Sequence, residues 1–243
     1  ETKISFNQMI NELKKTNIIF IGEYHDKPDH HKIQLHIIKA LHQSKIPIVI
    51  GLEMFASEYQ NLLNKWVTGD IELKDFLEVY KNNWGYEWDL YKDIFIYARE
   101  NNIPLIGLNV PRDIPQRVSR HGLSALTAEE LKILPSDLQC EIESGISTEI
   151  LKMVFKSHDK EDFISFCQAQ MIWDKTMAKN IIEHLKSNPD NLMIVIAGIG
   201  HAFKKGIPYQ IRRQSDFIYR VILPEEAHPV RNITNEFADY LIQ

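Results

Sequence analysis

Only two cysteines, Cys140 and Cys167, occur in the 243 residues, too few for the disulfide framework of a small secreted scaffold. One bridge is the most they allow, and Cys167 reads as a core residue. No basic tract exceeds two residues, and 28 basic against 33 acidic side chains leave a net charge of −5. That excludes a general binder of nucleic acid or of anionic membranes. No apolar run approaches the ~20 residues of a membrane-spanning helix. Phosphate loop, Gly-x-Gly-x-x-Gly turn and nucleophile elbow are all missing. So is an initiator methionine; removal of a signal ahead of Glu1 is compatible with the sequence, and a cytosolic start does not follow. With 44% hydrophobic and 25% charged residues, the chain has the composition of a folded domain, long enough for one large core with a smaller insertion.

Five short apolar runs read as buried strands: Asn17–Gly22, Ile46–Met54, Ile103–Val110, Leu192–Gly198 and Phe217–Leu223. Near-continuous Ile, Val and Leu is the pattern of parallel strands covered on both faces. Helix-period stretches separate them. Ile33, Ile37 and Leu41 give Asp29–Ser44 one apolar face, Trp66–Arg99 has room for more than one helix, a long helix ends at Ile181–Leu185, and another starts near Pro208. The expected architecture is an α/β fold, a largely parallel sheet flanked by helices. Residues 1–112 and 161–243 form its core domain. Asp113–Lys160 is polar, with helix starts at Thr127 and Ser136, and reads as a small helical insertion domain.

The residues with chemical potential follow the strands. Glu23 and His25 come after the first, Glu53 closes the second, Asn109 and Arg112 follow the third, and His201 follows the fourth. In an open parallel sheet these ends share one pole, where ligand sites form. The six are therefore expected in one pocket. Neutral imidazole plus carboxylate suits a divalent transition metal; the same groups serve equally as a general base and its orienting partner without metal. A metal-dependent or His/Glu-based hydrolase using Glu23, His25, Glu53 and His201 is thus one reading. On the helix of Phe163, Cys167, Met177 and Ile181, Gln170 and Asp174 share the apolar stripe. Buried polar groups need partners, and backbone or Arg112 are the expected ones. His30 and His31 at a helix start read as solvated or as leaning over the pocket, His36, His42 and His184 as helix-surface residues, and Trp84, Tyr86, Trp88, Tyr91 and Phe95 as core.

Taken together, Gly22-Glu23-Tyr24-His25-Asp26 with His30-His31, Gly51-Leu52-Glu53-Met54-Phe55, Leu108-Asn109-Val110-Pro111-Arg112, Gln170 with Trp173-Asp174 and Met177-Ala178, and Gly198-Ile199-Gly200-His201 with Gly206-Ile207-Pro208 resemble the ChaN-like family of haem-binding, iron-regulated bacterial lipoproteins. The two Gly-x-x-His motifs are also similar to a wider superfamily of Tiki peptidases and erythromycin esterases. The resemblance implies an α/β core with a small helical domain and non-covalent, b-type haem handled for iron uptake or storage. It also implies a bacterial cell-envelope location, lipid-anchored and facing periplasm or surface, with a homodimer holding haem through a tyrosinate and an outer-membrane haem receptor as a partner. Covalent attachment is excluded, since no Cys-x-x-Cys-His occurs.

A phenolate is a hard oxygen donor suited to ferric iron. Tyr91, Tyr97 and Tyr219 lie in helix or strand register and read as core. Tyr209 follows Gly206-Ile207-Pro208 at a helix start, where the dipole favours an anion, and Tyr24 follows the first strand. The expected order of iron ligands is Tyr209, then Tyr24, with Tyr86 third. Lys204, Lys205 and His201 are the expected propionate contacts.

Overall fold

The structure, a computed structural model, describes residues 3–138, 140, 160–226 and 235–242. Six parallel strands form one sheet: β1 (Ile18–Glu23), β2 (Ile48–Ala56), β3 (Leu105–Asn109), β4 (Leu192–Gly198), β5 (Tyr219–Pro224) and β6 (Tyr240–Ile242), in the order β3-β2-β4-β1-β5-β6. The α/β class with a parallel sheet is as the apolar runs predict. Every residue of β1, β2 and β4 is buried, because helices cover both faces.

Helices α1 (Phe6–Leu13), α2 (Pro28–Gln43), α3 (Gln60–Thr68), α4 (Leu73–Asn83) and α5 (Trp88–Glu100) close one face. Their Ile37, Trp66, Phe76, Tyr91 and Phe95 pack on Ile19, Ile21, Ile50 and Ile194 of the strands. The alternate residues, Ile18, Phe20, Met193 and Val195, point the other way, against Met177, Ile181 and Ile207. Those belong to α8 (Lys160–Ser187) and α10 (Ile207–Arg212), with the short α9 (Ile199–Ala202) between β4 and α10.

Between β3 and α8 the described chain forms α6 (Asp113–His121), a single 3-10 turn and α7 (Ala128–Ile133). Thr127 caps α7, reciprocally with Glu130, as its sequence predicts. Residues 136–138 carry no helix, so the expected start at Ser136 is absent there; its continuation lies outside the described residues. Ile114, Val118, Leu126, Leu134 and Leu138 form a third small core with Ala169 and Ile172 of α8, and Cys140 is bridged to Cys167 of α8.

Three strands start two residues later than their apolar runs, β2 at Ile48, β3 at Leu105 and β5 at Tyr219. Ile103 donates its N–H to Ala98 O and so closes α5, and β3 begins after Pro104. β6 was not expected.

Candidate functional site

β1 and β4 are neighbours, in register with Glu23 opposite Gly198. The chain leaves β1 for a helix on one face and β4 for a helix on the other. Such a switch point opens a crevice at the carboxyl ends of the strands, and it sets the two Gly-x-x-His segments side by side. A cleft of about 310 Å³ there is lined by His25, Glu53, Asn109, Arg112, Gln170 and His201, with Trp84, Tyr86 and Trp173 among its walls. Five of the six residues expected to share a pocket line this cleft. Glu23 lies directly behind His25.

Glu23 is the centre of a buried network. Its Oε1 accepts from His25 Nδ1 at 2.8 Å and from the Tyr91 hydroxyl, and its Oε2 accepts from Gln34 Nε2 at 2.6 Å and lies 3.1 Å from His31 Nδ1. Burial alone would raise its carboxyl, but the hydrogen bonds from His25 and His31 outweigh burial and hold it at about 2. His31 faces this carboxylate with one nitrogen and the His25 carbonyl with the other, at 3.1 Å. Both nitrogens must donate, which requires the imidazolium.

The second dyad mirrors the first. His201 Nδ1 donates to Asp174 at 2.6 Å, and its Nε2 stands 3.7 Å from Glu53 Oε1. Burial pulls His201 down, yet the charges of Glu53 and Asp174 carry it to about 9. Glu53 Oε2 accepts the Gly198 N–H at 2.6 Å, and Asn109 Nδ2 donates to the Glu53 carbonyl at 2.9 Å. Glycine is required at 198: a Cβ there would lie 2.8 Å from His25 Cε1. At 206 a Cβ would stand 2.2 Å from the His201 carbonyl oxygen, so the turn into α10 also needs glycine.

The two networks titrate in opposite senses. Folding lowers Glu23 from 4.5 to about 2, so its contribution to stability is complete above pH 4.5 and is lost as pH falls towards 2. Folding raises His201 from 6.5 to about 9, so that contribution is complete below pH 6.5 and is lost as pH rises through 9. Urea midpoints are expected to peak between about pH 4.5 and 6.5. A midpoint that climbs steadily from pH 6.5 to 9 contradicts the His201 assignment.

Several expectations need correction. His30 and His31 are buried, each 3% exposed: His30 accepts the Tyr24 N–H at 2.9 Å, and its other nitrogen meets Glu226 at 2.9 Å. Asp174 has His201 as its partner, in place of backbone or Arg112. Of the aromatic group, Tyr91 and Phe95 are core, whereas Trp84 and Tyr86 flank His25 with ring centroids 4.8 and 4.9 Å away. The Tyr91 hydroxyl and His31 both belong to the site network; Tyr91 was expected only as core, and leaning over the pocket was the lesser of two expectations for His31. Their signal was register, since His31 and Gln34 share the buried face of α2 with Ile38 and Leu41. Among the described residues no three His, Cys, Asp or Glu side chains are disposed to hold a metal ion.

Of the tyrosine candidates, Tyr209 and Tyr24 lie apart from the cleft lining, whereas Tyr86 is part of it. Tyr24 is 37% exposed, its ring 5.8 Å from that of His30. Tyr209 is half-buried in the first turn of α10, with the Arg213 guanidinium 5.6 Å from its ring centre. Lys205 is half-buried. Lys204 is tied to Asp239 and the Asn235 carbonyl, both at 2.8 Å, so its ammonium is already engaged.

Known proteins share this fold. ChaN of Campylobacter jejuni, in a structure of cofacial haem binding, superposes with a TM-score of 0.78 at 23% identity, covering 99% of this chain and 92% of that one. An erythromycin esterase mutant in its open conformation gives 0.58 at 15% identity, over 91% and 74% of the two chains. The type III effector HopBA1 gives 0.56 at 11%, over 96% and 90%. These likenesses establish the fold, and no curated protein matches the chain. The family model described as "Haem-binding uptake, Tiki superfamily, ChaN" matches residues 9–211, a span that runs from α1 through both Gly-x-x-His dyads to α10. The chain belongs to that haem-binding ChaN family.

Proposed function

We propose that this protein holds non-covalent haem for iron uptake or storage, with the Tyr209 phenolate as iron ligand, at an interface between two copies of the chain. The observation that carries the choice of ligand is the setting of Tyr209: partly exposed, at a helix start, with the Arg213 cation beside its ring. Tyr80 and Tyr91 are fully buried in the aromatic core. Tyr24 has burial and the Glu226 carboxylate beside it, both of which push its hydroxyl up and disfavour the phenolate.

The residues fit haem on the outer surface. A cleft of about 310 Å³ walled by charged groups is no slot for a macrocycle, whereas partly exposed phenols offer the hard oxygen donor that ferric iron takes. When bound, haem supplies the iron; the protein supplies one oxygen, cations for the carboxylates and an apolar surface. With Lys204 engaged by Asp239, Lys205 and residues of a second copy are left for those carboxylates. A flat ligand on an outer face leaves apolar area to be covered, most simply across a two-fold axis. The cofacial haem of the Campylobacter protein is the analogy for that pairing.

A location in the cell envelope, by a lipid anchor, completes the reading. Its support is the Cys140–Cys167 bridge, which persists in oxidising compartments. No described helix is long and apolar enough to cross a membrane.

Hemin titrated into the Tyr209→Phe variant is expected to bind about tenfold more weakly or worse, with loss of the phenolate-to-iron charge-transfer band. Tyr24→Phe is expected to behave as the parent. An unchanged spectrum and affinity for Tyr209→Phe removes Tyr209 as ligand.

A further inference from the structure

The haem reading leaves the strand-end cleft without an occupant, although its wall is the most highly organised polar surface described above. At about 310 Å³ it sits at the lower end of the ~300–1,000 Å³ usual for small-molecule sites. Four charged side chains line it. His25 and His201 each have Nδ1 on a buried carboxylate, Glu23 at 2.8 Å and Asp174 at 2.6 Å. The opposite nitrogen, Nε2, has no hydrogen-bond partner among the described residues in either ring. The Arg112 guanidinium stands at the rim with neither hydrogen bond nor ion pair among the described residues. One carboxylate faces these three groups: Glu53, with Oε2 on the Gly198 N–H and Oε1 3.7 Å from His201 Nε2.

Both imidazoles are held above their ordinary value, in spite of burial, by the carboxylates behind and between them. His201, carried to about 9, meets the cleft as an N–H donor, and His25 turns its unpartnered Nε2 edge to the same space. With Arg112, protonated His201 gives the lining two cations against the one carboxylate of Glu53. The walls beside these cations are flat and apolar. Trp84 and Tyr86 flank His25, and Trp173 lies 5.7 Å from the His201 ring.

We propose that the cleft is a second binding site, separate from the haem surface, for a small flat carboxylate whose oxygens lie between Arg112 and the Nε2 edges of His25 and His201. Its body lies against Trp84, Tyr86 and Trp173. A guanidinium pairs with the two coplanar oxygens of a carboxylate in a fork. A phosphate monoester brings a second negative charge against Glu53 Oε1, which has no donor of its own among the described residues. A neutral molecule leaves Arg112 unpaired.

The test is benzoate titrated into the intact chain, followed by calorimetry and by imidazole resonances. Benzoate is expected to bind and to shift the His25 and His201 signals. Benzamide, of the same shape without the charge, and phenyl phosphate are each expected to bind about tenfold more weakly or worse. Arg112→Gln, at an exposed position, is expected to weaken benzoate about tenfold while hemin titrates as in the parent. The proposal falls if benzoate fails to bind, if benzamide equals it, or if Arg112→Gln binds it normally. Tighter phenyl phosphate makes the cleft a phosphate site and overturns the carboxylate. Displacement of benzoate by hemin overturns the separation of the two sites. Failure of the Tyr209 assignment touches none of these readings.

Discussion

Replacing Glu23 with alanine is expected to cost about 3–5 kcal/mol of folding stability, the range for removing one partner from a buried charged network. Glu23 is 2% exposed and accepts from His25, Gln34 and Tyr91 while facing the His31 imidazolium. Alanine leaves a buried cation and several donors with nothing to meet, in a space that burial closes to water. Thermal unfolding is expected to shift down by on the order of 10 °C, given roughly 2–4 °C per kcal/mol for a chain of this size. The Asp29–Lys32 pair is the contrast. It spans 2.8 Å on the surface of α2, with both side chains more than two-thirds exposed, and its removal is expected to leave the melting curve in place. If Glu23→Ala and Asp29→Ala melt alike, the buried network is not what holds the strand ends together.

Cys167→Ser is the second large effect. The bridge to Cys140 closes a loop with a sequence separation of 27 residues. By the chain-entropy account, losing it costs about 3–4 kcal/mol through a freer unfolded state. The effect also has a local face, because Cys167 lies on α8 one turn before Gln170 and two before Asp174. Loosening this end of α8 is expected to show first in the small core of Ile114, Val118 and Leu138, as faster amide exchange there than in β1 or β4. Urea unfolding with and without reductant is the measurement. The parent in reductant should match Cys167→Ser, and coincidence of the oxidised parent with the variant sinks the prediction.

Much of this architecture was legible in the residues. The runs Asn17–Gly22 and Leu192–Gly198 could be nothing but buried strands, and the polar residues immediately after them could lie at only one pole of a parallel sheet. That reasoning brings His25, Glu53, Asn109, Arg112 and His201 together without any tertiary information. What was not legible depends on contacts that no local pattern encodes. β6 is three residues long, half-exposed, and exists because Ile222 and Leu223 of β5 offer it an edge. The burial of His31 follows from the docking of α2 on β1, and the hydroxyl of Tyr91 finds Glu23 across a large sequence separation. The helix expected to start at Ser136 is not present at residues 136–138, and the rest of that stretch lies largely outside the described residues. The choice of His201 as partner for Asp174, in place of Arg112, is likewise a matter of which helix face α9 presents.

The position of β4 has a consequence for how the chain comes into being. β1 and β2 never touch; β4 lies between them and pairs with both. A chain emerging with its N-terminus first can pair β2 with β3, but β1 has no partner until Leu192–Gly198 has been made. The sheet's centre is assembled late and from distant parts, the contact pattern of slow folding. Its most apolar strands stay open until then, exposed to aggregation or to a chaperone that keeps them apart. The segment that locks the structure is thus among the last to emerge.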